Sequence, residues 1–386
     1  MASVSALTAS LAASSTASAS PLDIVGLGSH RAGQVNAGLA SVDDATAVYY
    51  NPGGLVSQPS CRREEAPAGD YDEPAGDRDE PADRHDDESP DPVCAERDRG
   101  DVVVGIALAY SHLAINRVRA PFNDAGGAQL AARVRIVPAF ALAFAAHGPS
   151  QFGEHAVVHD PLYPLYPSYR DRLSRPVLLV GAAVAPMTNM SLGGAMDLGG
   201  GATHPKAIVG AAVRVSPALQ LGAVWHQRFA IVDETTGARV HYTPHTFLAG
   251  FTFTNDAIRG SLDLGFAHWS AYEGPFATGT SVRVPYNSTG QLRFGIESNN
   301  PLGVSFRFGY ALELAAIPEA QPDSNLLDGL KQSVSGGASY GRGRFRVDLA
   351  AGVQIVGSRT MTEPDDTKLK SGGEIFTTSL SLSVGY

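Results

Sequence analysis

The chain has 386 residues, of which 44% are hydrophobic, 18% charged and 8% aromatic. This length allows either several soluble domains or one large β-barrel, because all-β folds often exceed the usual domain size. No run of about 18 apolar residues occurs, so a helical membrane protein is excluded. A barrel is not excluded, since only every second residue of a barrel strand faces lipid. The 42 glycines favour a protein of strands and turns.

The net charge of −10 resides in one segment. Residues 60–100 hold 15 of the 39 acidic residues and 6 of the 29 basic ones, a balance of −9. The remaining 24 acidic and 23 basic residues nearly cancel. No basic patch with interleaved aromatic residues occurs, so the sequence gives no support for nucleic acid as a partner.

Residues 1–20 are rich in Ala and Ser, and Ala17-Ser18-Ala19 is similar to a signal-peptide cleavage site. The positively charged start of a signal peptide is missing, because Arg31 is the first Lys or Arg. We expect an atypical export signal here. The alternative is a disordered Ala/Ser tail.

Residues 22–58 form a glycine-rich segment with closely spaced motifs. The segment contains G-x-G-S-x-x-A-G, then A-G-x-A, then D-D-A-x-A-x-x-x-N-P-G-G-L. This pattern resembles the N-terminal hatch of the long-chain fatty acid and aromatic hydrocarbon outer-membrane transporter family. The matching positions are Gly26, Gly28, Ser29, Ala32, Gly33, Ala37, Gly38, Ala40, Asp43, Asp44, Ala45, Ala47, Asn51, Pro52, Gly54 and Leu55.

A hatch also has a physical reason. A barrel of about 12–14 strands encloses more space than its own side chains fill, and glycines let a backbone approach the wall closely. Asn51-Pro52 is expected to form a rigid turn. Asp43 and Asp44 are expected to accept hydrogen bonds from lumen arginines or hatch amides rather than to act as a catalytic pair. Gly53 stands where the family has Ala, an exchange expected to loosen the hatch.

Residues 59–100 form an acidic, proline-rich insert outside the family pattern. Three successive heptads each carry a proline and several acidic residues, which predicts an extended, solvated and disordered chain. Cys61 and Cys94 flank the insert. They either form a disulfide in an oxidising periplasm or stay as two free thiols, and their spacing is too long for a C-x-x-C metal site.

Residues 101–386 alternate apolar and polar side chains at period two, as strands do. Several runs last eight residues or more, longer than the five or six of an average soluble strand and close to the nine to eleven of a tilted membrane strand. We predict an all-β, transmembrane antiparallel β-barrel of about 12–14 strands. The predicted strands lie near residues 101–115, 130–145, 175–186, 205–215, 218–232, 239–254, 257–270, 281–298, 302–315, 330–341, 344–358 and 373–386.

Tight turns, as at 215–218 and 340–343, alternate with long connections. Short periplasmic turns and longer outer loops are typical of outer-membrane barrels. A soluble β-sandwich or propeller is the alternative, but the repeat of about 40–50 residues that a propeller needs is missing. Trp225, Trp269 and Tyr272 are expected at the membrane interfaces. The predicted long connections are 147–174, 270–280, 315–329 and 359–372.

The resemblance extends more faintly to 262–272 and 294–340, and it implies a function. The family carries hydrophobic compounds passively across the bacterial outer membrane, with capture by extracellular segments, displacement of the hatch and exit through a lateral gap in the wall. Tyr163 and Tyr166, in the predicted loop 147–174, are candidate ligand contacts.

Two lumen arginines, Arg228 and Arg307, are further candidate ligand contacts. They are expected either to attract a carboxylate head group or to pair with the lumen residues Asp263 and Asp348. Both alternatives stay open at this point.

The expected partners are hydrophobic small molecules, membrane lipids and lipopolysaccharide, and the barrel-assembly machinery during biogenesis. The last follows from the alternating C-terminal run that ends in the aromatic Tyr386. No cofactor motif, metal-ligand set or Ser-His-acid arrangement occurs in the sequence, so an enzyme is not expected. Two alternatives are an adhesion barrel whose acidic loop binds cations or a partner, and a barrel lipase or deacylase.

Overall fold

The computed structural model describes residues 22–56, 99–115, 118–119, 124–152, 176–199, 205–232, 239–271, 286–298, 303–316, 329–362, 366 and 368–386. The predicted export signal, most of the acidic insert with Cys61 and Cys94, and the candidate contacts Tyr163 and Tyr166 lie outside the described residues.

The described part of the chain consists of 17 strands and a few short helices. The helices are α1 (Leu22–Val25), α2 (Ser29–Ala32), α3 (Ala47–Tyr50) and two 3-10 helices (Pro52–Val56 and Trp269–Ala271). None of the described helices is long and apolar enough to cross a membrane. The strands are β1 (Gly100–Ile115), β2 (Val118–Arg119), β3 (Asp124–Val137), β4 (Phe140–Phe152), β5 (Val177–Met187), β6 (Met190–Asp197), β7 (Lys206–Arg214), β8 (Leu219–His226), β9 (Phe229–Val232), β10 (Arg239–Thr243), β11 (Thr246–Thr254), β12 (Ile258–Ala267), β13 (Thr289–Ser298), β14 (Val304–Glu313), β15 (Lys331–Arg342), β16 (Phe345–Thr362) and β17 (Lys368–Gly385).

Among the described residues, 14 of these strands form one closed antiparallel barrel. Each barrel strand pairs with the next one along the chain, and β17 pairs with β1 from Gly385–Asp101 to Ser371–Ile115. Strand β2 pairs only with the end of β1, and β9 and β10 form a separate hairpin. Closure leaves no unpaired sheet edge, which is the condition for a β-structure to lie in lipid. The prediction of a closed barrel is confirmed.

Side chains along each strand alternate between the exterior and the interior. On β16, Phe345, Val347 and Leu349 are 45–59% exposed, whereas the alternate residues Asp348 and Ala350 are at most 3% exposed. The apolar residues therefore face outward and the polar and small residues face inward, the reverse of a soluble barrel. An apolar exterior of this extent is a lipid-facing surface, and the barrel is a transmembrane one.

The structure corrects three of the predicted segments and adds one strand that was not predicted. The segment near 130–145 is not one strand but the hairpin β3–β4, which turns at Pro138-Ala139 within a nearly continuous apolar run. Strand β6 was not predicted at all, because its sequence is rich in glycine and methionine and alternates weakly. The segments 218–232 and 239–254 are each interrupted, so that each contains one barrel strand and one strand of the β9–β10 hairpin.

The two ends of the barrel differ in their connections. At one end the strands are joined by tight turns, which include 138–139, 188–189, 215–218 and 343–344; we call this the short-turn end. The opposite end carries the longer connections. The long connection predicted at 359–372 is wrong, because β16 and β17 continue through this range and leave only 363–367 between them.

Replacing the outward-facing Ile106 with Arg tests the lipid-facing assignment. Ile106 is 54% exposed near the middle of β1. A charge at this depth is expected to destabilise the barrel by about 2–4 kcal/mol, whereas Phe345→Arg, at a strand end, should cost no more than about 1 kcal/mol. Urea titration of the protein refolded in lipid vesicles measures both variants. Equal stability of the two variants would show that Ile106 does not face lipid.

Candidate functional site

The N-terminal segment, defined as residues 22–56, lies in the barrel interior. Its backbone amides donate hydrogen bonds to inward-facing side chains on β1, β3, β12, β15 and β17. These bonds run from Gly28 to Gln129 (2.9 Å), from Ser29 to Ser381 (3.1 Å), from Val35 to Ser335 (2.9 Å), from Gly38 to Asp263 (2.8 Å) and from Ala45 to Asp101 (2.7 Å).

A buried ion pair on β1 and β3 anchors the second half of this segment. The Nε of Arg133 lies 2.6 Å from Oδ1 of Asp101. The same guanidinium donates to the backbone carbonyls of Asp43 (2.6 Å) and Leu55 (3.2 Å), and Asp101 also accepts from the amide of Ala45. One wall pair thus satisfies three backbone groups of the segment.

A second ionic cluster surrounds His30 on α2. The imidazole lies 3.5 Å from carboxylate oxygens of both Glu297 and Asp348. Arg307 lies between the same two carboxylates, 3.0 Å from each. Of the two alternatives for Arg307, the structure therefore shows pairing with Asp348, and its fully buried guanidinium is already engaged. Asp263, by contrast, accepts from backbone amides of the segment.

Asp44 continues this cluster towards Arg346. Oδ2 of Asp44 lies 3.4 Å from Nη2 of Arg346, and Oδ1 accepts from the amide of Thr46 at 2.9 Å. Burial alone would raise the pKa of the Asp44 carboxyl, but Arg346, Arg31 and His30 lower this pKa to about 2. Asp44 is thus a charged link between the segment and the wall. For Asp43, the described contact with the wall runs through its backbone carbonyl, which accepts from Arg133.

The opposite side of the segment contacts the wall through glycines. Pro52 lies so close to Gly193 on β6 that a Cβ there would overlap its carbonyl group, and a Cβ at Gly210 on β7 would overlap the side chain of Asn51. At Gly53 a Cβ would lie 3.0 Å from the Cα of Ala211. Gly53 therefore permits closer packing against β7, contrary to the expectation that it loosens the hatch.

Asn51 joins the segment to β7 and to itself. Its Nδ2 donates to the carbonyls of Leu39 (3.0 Å) and Ala211 (2.9 Å), and its Oδ1 accepts from the amide of Gly53 (3.1 Å). Pro52 then starts a 3-10 helix. An amide side chain is needed here because it donates and accepts at once.

The predicted hatch glycines serve two purposes. Gly28 and Gly38 have φ of +78° and +90°, a backbone conformation that costs other residues energy. Gly33 has an ordinary φ, and a Cβ on it would lie 3.2 Å from the Cα of Gly337 on β15. The first two glycines allow turns, and Gly33 allows contact with the wall.

A cavity lies between the segment and the end of the barrel with the long connections. One part of its lining is aromatic and apolar and includes Tyr49, Leu248 and Trp269. Arg293 and Lys331 line another part; the Nη2 of Arg293 donates to Gln291 at 3.2 Å, and the Nζ of Lys331 lies 2.8 Å from Glu313. The cavity therefore combines apolar surface with positive charge.

The two tryptophans that were expected at the membrane interfaces have different surroundings. Trp269 is buried and stacks on Tyr286 with 5.8 Å between ring centroids, so it is not an interface residue. Trp225 stacks on His245 at 5.7 Å near the strand end and is half-buried. Tyr272 lies outside the described residues.

Arg228 is exposed and does not line this cavity. Its backbone amide donates to Nδ1 of His245 at 3.2 Å. Among the described residues, no three His, Cys, Asp or Glu side chains are arranged to hold a metal ion.

The sequence patterns did not predict five residues that contact the N-terminal segment or line the cavity: Asp101, Gln129, Arg133, Arg293 and Lys331. Each is a charged or amide residue at an inward position of a strand. The alternating pattern could have predicted that these side chains face inward. It does not show which of them contact the N-terminal segment.

Together these features define a class: a closed transmembrane β-barrel whose interior holds its own N-terminal segment. No protein-family model matches the chain, and no curated protein matches it in sequence.

Solved structures do match it. A FadL homologue from Pseudomonas aeruginosa has a TM-score of 0.59 and 13% identity, covering 93% of this chain and 98% of that one. The toluene transporter TodX of Pseudomonas putida has a TM-score of 0.58 and 11% identity, with the same coverage. The toluene transporter TbuX of Ralstonia pickettii has a TM-score of 0.54 and 12% identity, again covering 93% and 98%. Likeness at this identity shows a shared fold.

Two adjacent glycines of β6 provide a test of the close contact with Pro52. A side chain at Gly193 would collide with Pro52, whereas Gly194 points outward and a Cβ there meets only the carbonyl of Ile208 at 3.7 Å. Gly193→Val should therefore increase amide hydrogen exchange in residues 50–56 severalfold, and Gly194→Val should leave it unchanged. Hydrogen exchange read by mass spectrometry measures both. Unchanged exchange in Gly193→Val would contradict the placement of Pro52.

Proposed function

We propose that this chain carries hydrophobic compounds, long-chain fatty acids or similar lipophilic solutes, passively across the bacterial outer membrane. The interior cavity is the observation that supports this proposal most directly. It places apolar and aromatic surface beside the N-terminal segment and within a barrel whose exterior faces lipid. The structural neighbours described as toluene transporters and as a monoaromatic hydrocarbon channel agree with it.

The cavity can hold an apolar group on its aromatic side, while most of its lining surface is polar. Each Å² of apolar surface that leaves water contributes roughly 25 cal/mol, and Tyr49, Leu248 and Trp269 provide such surface. Arg293 gives the same cavity a positive side, on which a carboxylate can be held, whereas Lys331 is paired with Glu313. Arg228 is the less suitable candidate, because it lies outside the cavity lining. Capture by Tyr163 and Tyr166 stays a prediction.

Passage requires part of the N-terminal segment to move, and residues 22–36 are the weaker part. Within this half, the Oγ of Ser29, the Nε of Arg31 and both amide atoms of Gln34 are buried without a hydrogen-bond partner among the described residues. Each such atom costs free energy on the order of 1–3 kcal/mol. No side-chain atom of residues 37–56 has this defect in the described structure.

The backbone between the two halves is strained. Val35 and Asn36 have φ of +48° and +62°, and positive φ at a β-branched residue is a genuine outlier. Such strain costs roughly 1–3 kcal/mol, and movement of residues 22–34 would release it. We therefore place the hinge at Val35-Asn36.

No external energy source is required by this scheme, and the sequence contains no P-loop. The solute moves down its own gradient once the segment yields. The lateral exit implied by the resemblance stays a prediction. Neighbouring barrel strands are paired all around the described barrel.

Uptake of labelled oleate and of toluene by cells with and without the protein tests transport. The protein should increase the uptake rate of at least one of the two solutes. Leu248→Trp, which fills the cavity, should reduce that rate severalfold, whereas Phe247→Trp, on the adjacent lipid-facing position, should not. Equal uptake of both solutes with and without the protein would refute the transport function.

Disulfide cross-links test which half of the segment moves. A Cβ on Gly295 would lie 3.1 Å from the Cβ of Gln34, and one on Gly181 would lie 2.8 Å from Cγ2 of Val48. In a background without the native cysteines, Gln34→Cys with Gly295→Cys should block uptake until a reductant is added. Val48→Cys with Gly181→Cys should have no effect.

Two results of the cross-link experiment would contradict the proposed movement. If both cross-links block uptake, the whole segment moves and the hinge is misplaced. If the Gln34–Gly295 cross-link forms and uptake continues, displacement of this half is not part of transport.

A further inference from the structure

Three exposed arginines lie together at the short-turn end. Arg342 and Arg344 flank the turn between β15 and β16, and Arg99 directly precedes β1. The amide of Gly385 donates to the carbonyl of Arg344 at 2.9 Å, and the amide of Gly100 donates to the carbonyl of Tyr386 at 3.1 Å. The three arginines therefore lie within one sector of four neighbouring strands, β15, β16, β17 and β1, and we call them the arginine rim.

The arginine rim is not neutralised within the described part of the chain. None of its members forms an ion pair there, and Asp101 and Asp348, the acidic residues on the same strands near this end, are buried inside against Arg133 and Arg307. Within the described part of this sector the net charge is positive, even with a terminal carboxylate on Tyr386 counted.

Aromatic side chains lie next to the arginine rim on the outer surface. Tyr340, Phe345 and Tyr386 are all more than 40% exposed at the short-turn ends of their strands. Aromatic residues at the ends of barrel strands mark the boundary between acyl chains and head groups. The arginines are therefore at the level of the lipid head groups, next to the apolar exterior.

We infer that the arginine rim binds anionic phospholipid head groups of the inner leaflet. Short turns face the periplasm in outer-membrane barrels, and the leaflet on that side consists of phospholipids. A guanidinium forms two parallel hydrogen bonds to a phosphate, and basic residues at a membrane surface attract anionic lipids. In phosphatidylethanolamine the ammonium group offsets the phosphate, whereas phosphatidylglycerol keeps its full charge. The inference rests on the proposed membrane location and not on transport.

A second occupant competes for this surface. The acidic residues 60–98 precede Arg99 directly in the chain and carry most of the net negative charge. Charge alone fits both occupants. The apolar and aromatic surface beside the arginines favours lipid, because an acidic, proline-rich chain has few apolar side chains to place there.

Lipid retention by the purified full-length protein tests the inference. The protein is reconstituted with equal amounts of phosphatidylglycerol and phosphatidylethanolamine, extracted into mild detergent and analysed by native mass spectrometry. Phosphatidylglycerol should be enriched at least about threefold among the bound lipids. The triple variant Arg99→Gln, Arg342→Gln, Arg344→Gln should lose this enrichment. Arg228→Gln, Lys368→Gln, Lys370→Gln removes the same charge at the opposite end and should keep it.

Each other outcome overturns the inference. An unchanged enrichment in the rim variant, or an equal loss in the control variant, would show that these arginines do not select the lipid. No enrichment in the parent protein, with enrichment appearing in full-length Asp86→Asn, Asp87→Asn, Glu88→Gln, would identify the acidic segment as the occupant. Uptake measured on the same variants separates this result from a failure of the transport function.

Discussion

Closing a sheet of 14 strands creates an interior that the strands' own side chains cannot fill, and the rest of this structure depends on how that space is occupied. The N-terminal segment fills it through two kinds of contact. Ionic clusters around Arg133 and His30 hold one side, and glycines such as Gly193 allow backbone contact on the other. These groups keep their positions only if the pairing register of every strand is correct, because a slip of one residue would turn each inward side chain to the lipid.

The alternation of apolar and polar residues predicted most of the barrel strands. Where apolar and polar residues strictly alternate, as along residues 345–358 and 373–385, both the strand and its inward face were predicted correctly, while the continuation of β16 and β17 into 359–372 was not. The alternation failed at two tight turns that lie beside apolar or weakly patterned sequence. Pro138-Ala139 joins two apolar runs with little polar interruption, and Thr188-Asn189 precedes a glycine-rich strand with a weak pattern. Two strands were missed for these physical reasons.

The interior was less predictable, because its contacts join residues far apart in sequence. The hatch motif indicated that Asn51 and Asp44 matter, but Asn51 meets Ala211 and Asp44 meets Arg346 only once the whole barrel is closed. Alternation alone predicts whether a side chain faces the lumen or the lipid, and not its position along the barrel axis. For this reason the sequence predicted that Arg307 lies inside the barrel. It could not decide whether Arg307 pairs with Asp348 or binds a ligand.

The central claim is that residues 22–56 fill the lumen. Ion conductance in planar lipid bilayers tests it most directly, with the full chain compared with a variant that lacks these residues and whose barrel is shown to be folded by its heat-dependent gel mobility. Almost no steady ion current is expected through the full chain, whereas the variant should form large, stable water-filled channels. Equal conductance of the two proteins would contradict it.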